Sequence, residues 1–150
     1  MSDATVAETM DLPIGHTEFR RADLVFVGVD HSGPSYKMVI RMLGHDASGA
    51  QVADVEAGSY TIFGHGGCFG DEGHCDVRAP VSSFDYRRPH QLSPIAVVVV
   101  ITEALKSLVR AGATQFRIAA TPVVKESPFA KAEDAEGITL PEEIELRIYD

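Results

Sequence analysis

At 150 residues the chain is long enough for one domain that buries roughly two thirds of its unfolded surface, so folding needs no disulfide staples. Its 13 basic and 22 acidic side chains leave a net charge of -9, a field that repels phosphate backbones and anionic lipid. Nucleic acid and membrane surfaces are therefore excluded as expected partners.

Met1 to Leu12 holds acids and small polar residues where a secretory signal needs a basic start and an apolar stretch. The longest apolar run, Ile95 to Ile101, is far short of a membrane span. These features predict a cytoplasmic protein, in which two nearby cysteines act more often as ligands or redox thiols than as a disulfide.

Residues 1–17 lack apolar periodicity and are expected to form a flexible arm, with a single domain over 18–150. Ala22 to Val29 is β-branched and aromatic and runs into the turn Asp30-His31-Ser32-Gly33-Pro34. Tyr36 to Leu43 alternates polar and apolar, which predicts a second strand pairing antiparallel with the first. A polar segment from His45 to Glu56 leads to a third strand, Gly58 to Phe63, and then to a glycine-rich loop.

From Asp76 to Pro94 the chain has no periodicity and carries Pro80, Pro89 and Pro94, which predicts a long irregular excursion. Four consecutive valines make Ile95 to Ile101 a buried strand, because they are stiff at χ1 and crowd a helix. Thr102 is expected to cap a helix over Glu103 to Arg110, stopped by Gly112 and covering one end of the fold. Gln115 to Thr121 and Glu143 to Tyr149 alternate with a period of two and read as strands, while Lys125 to Gly137 reads as a surface loop. The expected fold is mainly β, an antiparallel sandwich of about six to seven strands with one short helix.

The chemistry is concentrated in Gly64 to Asp76, which gathers both cysteines and two of the six histidines among five glycines. Thiolate and imidazole suit copper and zinc, and glycines let a short backbone fold around one ion. The candidate ligands are His65, Cys68, His74 and Cys75, with His90 as a further or replacement donor. His74 and Cys75 are adjacent, so in an extended backbone they point apart, and either a turn at Gly73 or the loss of one ligand follows. Asp71, Glu72 and Asp76 are either orienting acids behind the ligands or simple loop charges. His31 beside Asp30 has the makings of a general base, against the plainer reading of a turn histidine. Arg87-Arg88 reads as a salt-bridging surface pair, and neither a Gly-x-Ser-x-Gly elbow nor a Gly-Lys-Ser/Thr phosphate loop is present.

The order of Leu24-Val25-Phe26-Val27-Gly28, Lys37-Met38-Val39-Ile40-Arg41, Ala57-Gly58-Ser59-Tyr60-Thr61-Ile62-Phe63-Gly64-His65, Ile101-Thr102-Glu103-Ala104-Leu105 and Thr121-Pro122-Val123 resembles the C-terminal β-sandwich domain of tyrosinases and polyphenol oxidases. The likeness runs from about Asp23 to Tyr149. It implies a domain that covers the dicopper pocket of a type-3 copper oxidase and, in some members, relays copper through paired cysteines. Cys68 and Cys75 answer to that pair, at a wider spacing than the two-residue gap usual there. The six-histidine helical signature of the oxidase is absent, so this chain alone is not expected to oxidise phenols.

Together these readings predict a copper- or zinc-binding accessory or shielding protein that docks on a larger oxidase or another protein subunit. A homo-oligomer stays open. Two other classes also stay open: a stand-alone mononuclear metalloenzyme with an open coordination position, and a structural or interaction subunit whose loop is closed by zinc or a Cys68–Cys75 disulfide.

Overall fold

The computed structural model describes residues 6–64, 95–128 and 130–150. Among these residues the strands are β1 (Val6–Asp11), β2 (Arg21–Val29), β3 (Tyr36–His45), β4 (Gln51–Ile62), β5 (Ile95–Val100), β6 (Gln115–Val123) and β7 (Glu143–Tyr149), with one α-helix, α1 (Thr102–Arg110). They form two antiparallel sheets, ordered β1-β6-β3-β4 and β5-β2-β7, packed as a sandwich. The mainly β class expected from the alternating sequence is what the chain adopts. Among the described residues no helix is long and apolar enough to cross a membrane.

The alternation of side chains explains the layers. In β3, Tyr36, Met38, Ile40 and Met42 are buried while Lys37 and Arg41 between them face outward. From the other sheet Leu24 and Phe26 of β2 and Ile144 of β7 point into the same core, and Phe116, Ile118 and Ala120 of β6 complete it. Each large side chain fully buried this way contributes about 1.5–3 kcal/mol relative to exposure.

β2 and β3 do not pair with each other, contrary to the expected hairpin. β2 lies between β5 and β7 in one sheet, and β3 lies between β4 and β6 in the other. The link between them crosses the sandwich, because each strand's apolar face must meet the opposite sheet. Residues expected in a loose arm supply β1, which pairs with β6 from Val6↔Ala120 to Asp11↔Gln115. An outer strand needs partners for only one row of backbone groups, so it forms without a strong apolar beat.

β4 likewise begins at Gln51, inside the stretch expected to be a connector. Its turn is built by Asp46, whose Oδ1 accepts hydrogen bonds from Ser48 N at 2.8 Å and Ala50 N at 3.1 Å. β5 is covered on one face only: Val99 is buried, whereas Val98 and Val100 are 50% and 54% exposed. The expected buried strand is therefore corrected to a half-covered outer strand of its sheet, among the described residues. Gly58, with φ of +142°, brings β4 against it, and a Cβ there would lie 3.0 Å from Val99 Cγ1.

α1 buries Leu105 and Leu108 and covers one end of the sandwich, as its spacing predicts. Its cap is Ile101 rather than Thr102. The Thr102 hydroxyl instead accepts a hydrogen bond from Ala22 N at 3.1 Å, tying the helix start to β2. The expected surface loop after β6 is largely exposed but includes a 3-10 turn, Ala132–Gly137, whose Ala135 is buried.

Candidate functional site

His65, Cys68, His74, Cys75 and His90 all lie outside the described residues, as do Asp71, Glu72, Asp76, Arg87 and Arg88. The described residues show the two places between which that segment is strung. It leaves from the end of β4 at Gly64 and rejoins at the start of β5 at Ile95. The registers Tyr36↔Ile62, Val29↔Ile95 and Val27↔Glu143 put both attachment points at one end of the sandwich, together with the Asp30–Ser35 link and the start of β7. α1 sits at the opposite end, following the Asp23↔Val100 pair.

The attachment at Gly64 is tightly built. Gly64 N donates to Ser35 Oγ at 3.0 Å. A Cβ on Gly64 would collide with the carbonyl oxygens of Gly33 and Pro34, so the two backbones cross where only glycine fits. Immediately after this crossing the chain reaches His65.

Asp30 organises the link opposite. Its Oδ1 accepts from Ser32 N at 3.0 Å and Ser32 Oγ at 2.7 Å, and its Oδ2 accepts from Thr139 N at 3.1 Å and Thr139 Oγ1 at 3.0 Å. Partial burial works to raise its pKa, but the hydrogen bonds from Ser32 and Thr139 outweigh it and hold the carboxyl below its ordinary value. The carboxylate is thus committed to Ser32 and Thr139, and the Asp30–His31 pair reads as turn construction rather than as a general base.

Behind the link, Tyr36 Oη donates to the Asp30 carbonyl at 2.7 Å. Burial, with the Asp30 charge beside it, pushes the Tyr36 phenol up to about 12. Tyr60 packs against Phe26 at 5.2 Å and edge-on to Tyr36 at 6.5 Å between ring centroids. Its hydroxyl is buried and has no hydrogen-bond partner among the described residues, and burial raises its pKa strongly.

Sequence reasoning missed Ser35, Tyr36, Tyr60 and Thr139 as supports of this end. The Asp-x-Ser pattern at Asp30 is the one local signal that marks such a turn. Thr139 is more than a hundred residues away in sequence, so its role depends on the fold. At the opposite end a second acid, Asp23, is 3% exposed on the sheet and receives Arg21 Nε on both oxygens at 2.8 and 3.1 Å.

Among the described residues no group of three His, Cys, Asp or Glu side chains is arranged to hold a metal ion. The chain matches no known protein family, no curated protein and no solved structure.

Proposed function

We propose that the protein is a metal-binding β-sandwich that acts in the cytoplasm as an accessory or shielding partner of a larger oxidase of the type-3 copper kind. Copper or zinc is held by Cys68 and Cys75 with His65 and His74 as the nitrogen donors, and His90 is a further or replacement donor. The observation that carries this reading is that the only two cysteines and three of the six histidines fall between Gly64 and Ile95, two points anchored at one end of the sandwich.

The donor chemistry suits either ion, since two thiolates with imidazoles match zinc and the softer copper states. A bound ion would supply a structural closure or a transferable copper. The chain's own part is to keep the thiols paired and close to the partner. The likeness of Leu24–Gly28, Lys37–Arg41 and Ala57–His65 to the tyrosinase C-terminal domain supports the oxidase as the partner class.

The test is metal analysis of protein purified without a histidine tag, beside the Cys68→Ser plus Cys75→Ser variant. We expect close to one copper or zinc per chain in the wild type and loss of most of it in the variant. Less than about 0.2 metal per chain in the wild type, or no loss on substitution, overturns the reading, since a thiolate site binds zinc with about 10–16 kcal/mol and survives purification.

A further inference from the structure

The outer face of the four-stranded sheet carries a groove of about 340 Å³ at the end where β3 begins, lined among the described residues by Ser35, Tyr36, Lys37, Thr61, Val123 and Lys125. Three of these are register partners across adjacent strands: Val123 opposes Lys37, and Lys37 opposes Thr61. Val123 is 51% exposed, and Phe63, two residues beyond Thr61, is 88% exposed. Val123 thus gives the groove an exposed apolar wall.

The charges around the groove are as telling. The ion pairs of the described residues go to arginines: Arg21 with Asp23, Arg41 with Asp54, and Arg147 with Glu145. Lys37 and Lys125 have no ion-pair partner among the described residues. Two uncompensated ammonium groups thus flank an apolar groove on a chain of net charge -9. Their methylene stems extend the apolar walls while the charged heads stay at the rim.

We propose that this groove docks an acidic peptide segment of a protein partner, with an aliphatic or aromatic side chain seated against Val123 between the stems of Lys37 and Lys125 and its carboxylates on their ammonium groups. Rim charges of this kind steer encounter and select the partner, while the apolar anchor supplies the contact energy. The two ammonium groups at the rim, unpaired among the described residues, are the local charge that selects carboxylates, against the chain's overall negative field. The inference concerns the docking half of the proposed function and does not depend on the loop holding a metal.

The test uses fluorescence anisotropy with three labelled synthetic decapeptides: alternating Glu and Leu, alternating Glu and Ser, and alternating Lys and Leu. The full chain is measured as wild type, as Lys37→Glu plus Lys125→Glu, as the milder Lys37→Gln plus Lys125→Gln, and as Cys68→Ser plus Cys75→Ser. We expect the Glu/Leu peptide to bind the wild type at least about tenfold tighter than either control, and the charge reversal to remove that preference. The cysteine variant keeps the preference, which separates this inference from the metal reading. The glutamine pair carries the comparison if the charge reversal lowers the melting temperature. No binding of the Glu/Leu peptide, equal binding of the Glu/Ser peptide, an unaffected charge variant, or equal affinity for a single-stranded oligothymidine would each overturn the proposal.

Discussion

Asp30 ties three parts of the chain together by accepting four hydrogen bonds from Ser32 and Thr139 while its carbonyl receives Tyr36 Oη. Its folded-state pKa lies below the unfolded value, so the ionised form is the one the fold prefers. The resulting stability is present above the unfolded pKa of about 3.9 and is lost as the pH falls through the lower, folded pKa. Asp30→Asn keeps an acceptor at the same place but removes the charge. The urea midpoint of the variant should therefore fall below that of the wild type at neutral pH, and the gap should close once the wild-type carboxyl is protonated in strong acid. A gap that does not change with pH would show that charge plays no part. The sequence marked Asp30 as a turn residue, but the second pair of its bonds comes from Thr139, which only the packed sandwich brings near.

At the scale of elements, Thr102 shows how a locally sound expectation is overridden. A threonine before Glu103 and an apolar helix face reads as a cap, yet its hydroxyl serves β2 by accepting Ala22 N, and Ile101 N donates to the Ala22 carbonyl at 2.8 Å. The junction between β5 and α1 is thereby latched to the start of β2. Thr102→Val keeps the shape and removes the acceptor, leaving the N–H of fully buried Ala22 unpaired at a cost of about 1–3 kcal/mol. Thr102→Ser should retain most of the stability, and chemical denaturation of the two variants checks this. Equal stability of the serine and valine variants would contradict the latch.

The same scale explains what the sequence discloses. β7 and β6 repeat every second residue, so their existence and inner faces are legible, and the valine run of β5 identifies it as a strand. β1 and the first half of β4 lie on outer strands with polar outward residues, and there the backbone partner, not the side-chain pattern, makes the strand. The pairing of β2 with β5 and β7 rather than β3 is a long-range choice that no local pattern records. The same limit applies to Gly64, whose need for glycine arises from Gly33 and Pro34 passing beside it.

At the scale of the molecule, α1 covers one end of the sandwich, and the two attachment points of the cysteine–histidine segment share the other with the Asp30–Ser35 link. The lysine groove opens on the outer face beside that same end, through Ser35 and Thr61. In the proposed account, metal capture and partner docking are thus neighbours, as a protein handing over or shielding copper requires. The central claim is that Cys68 and Cys75 bind the ion directly. X-ray absorption of the copper- or zinc-loaded chain tests it: the account predicts a sulfur shell at about 2.3 Å with imidazole nitrogen at about 2.0 Å, the sulfur vanishing in the Cys68→Ser plus Cys75→Ser variant. A first shell of oxygen and nitrogen alone in the wild type would contradict it.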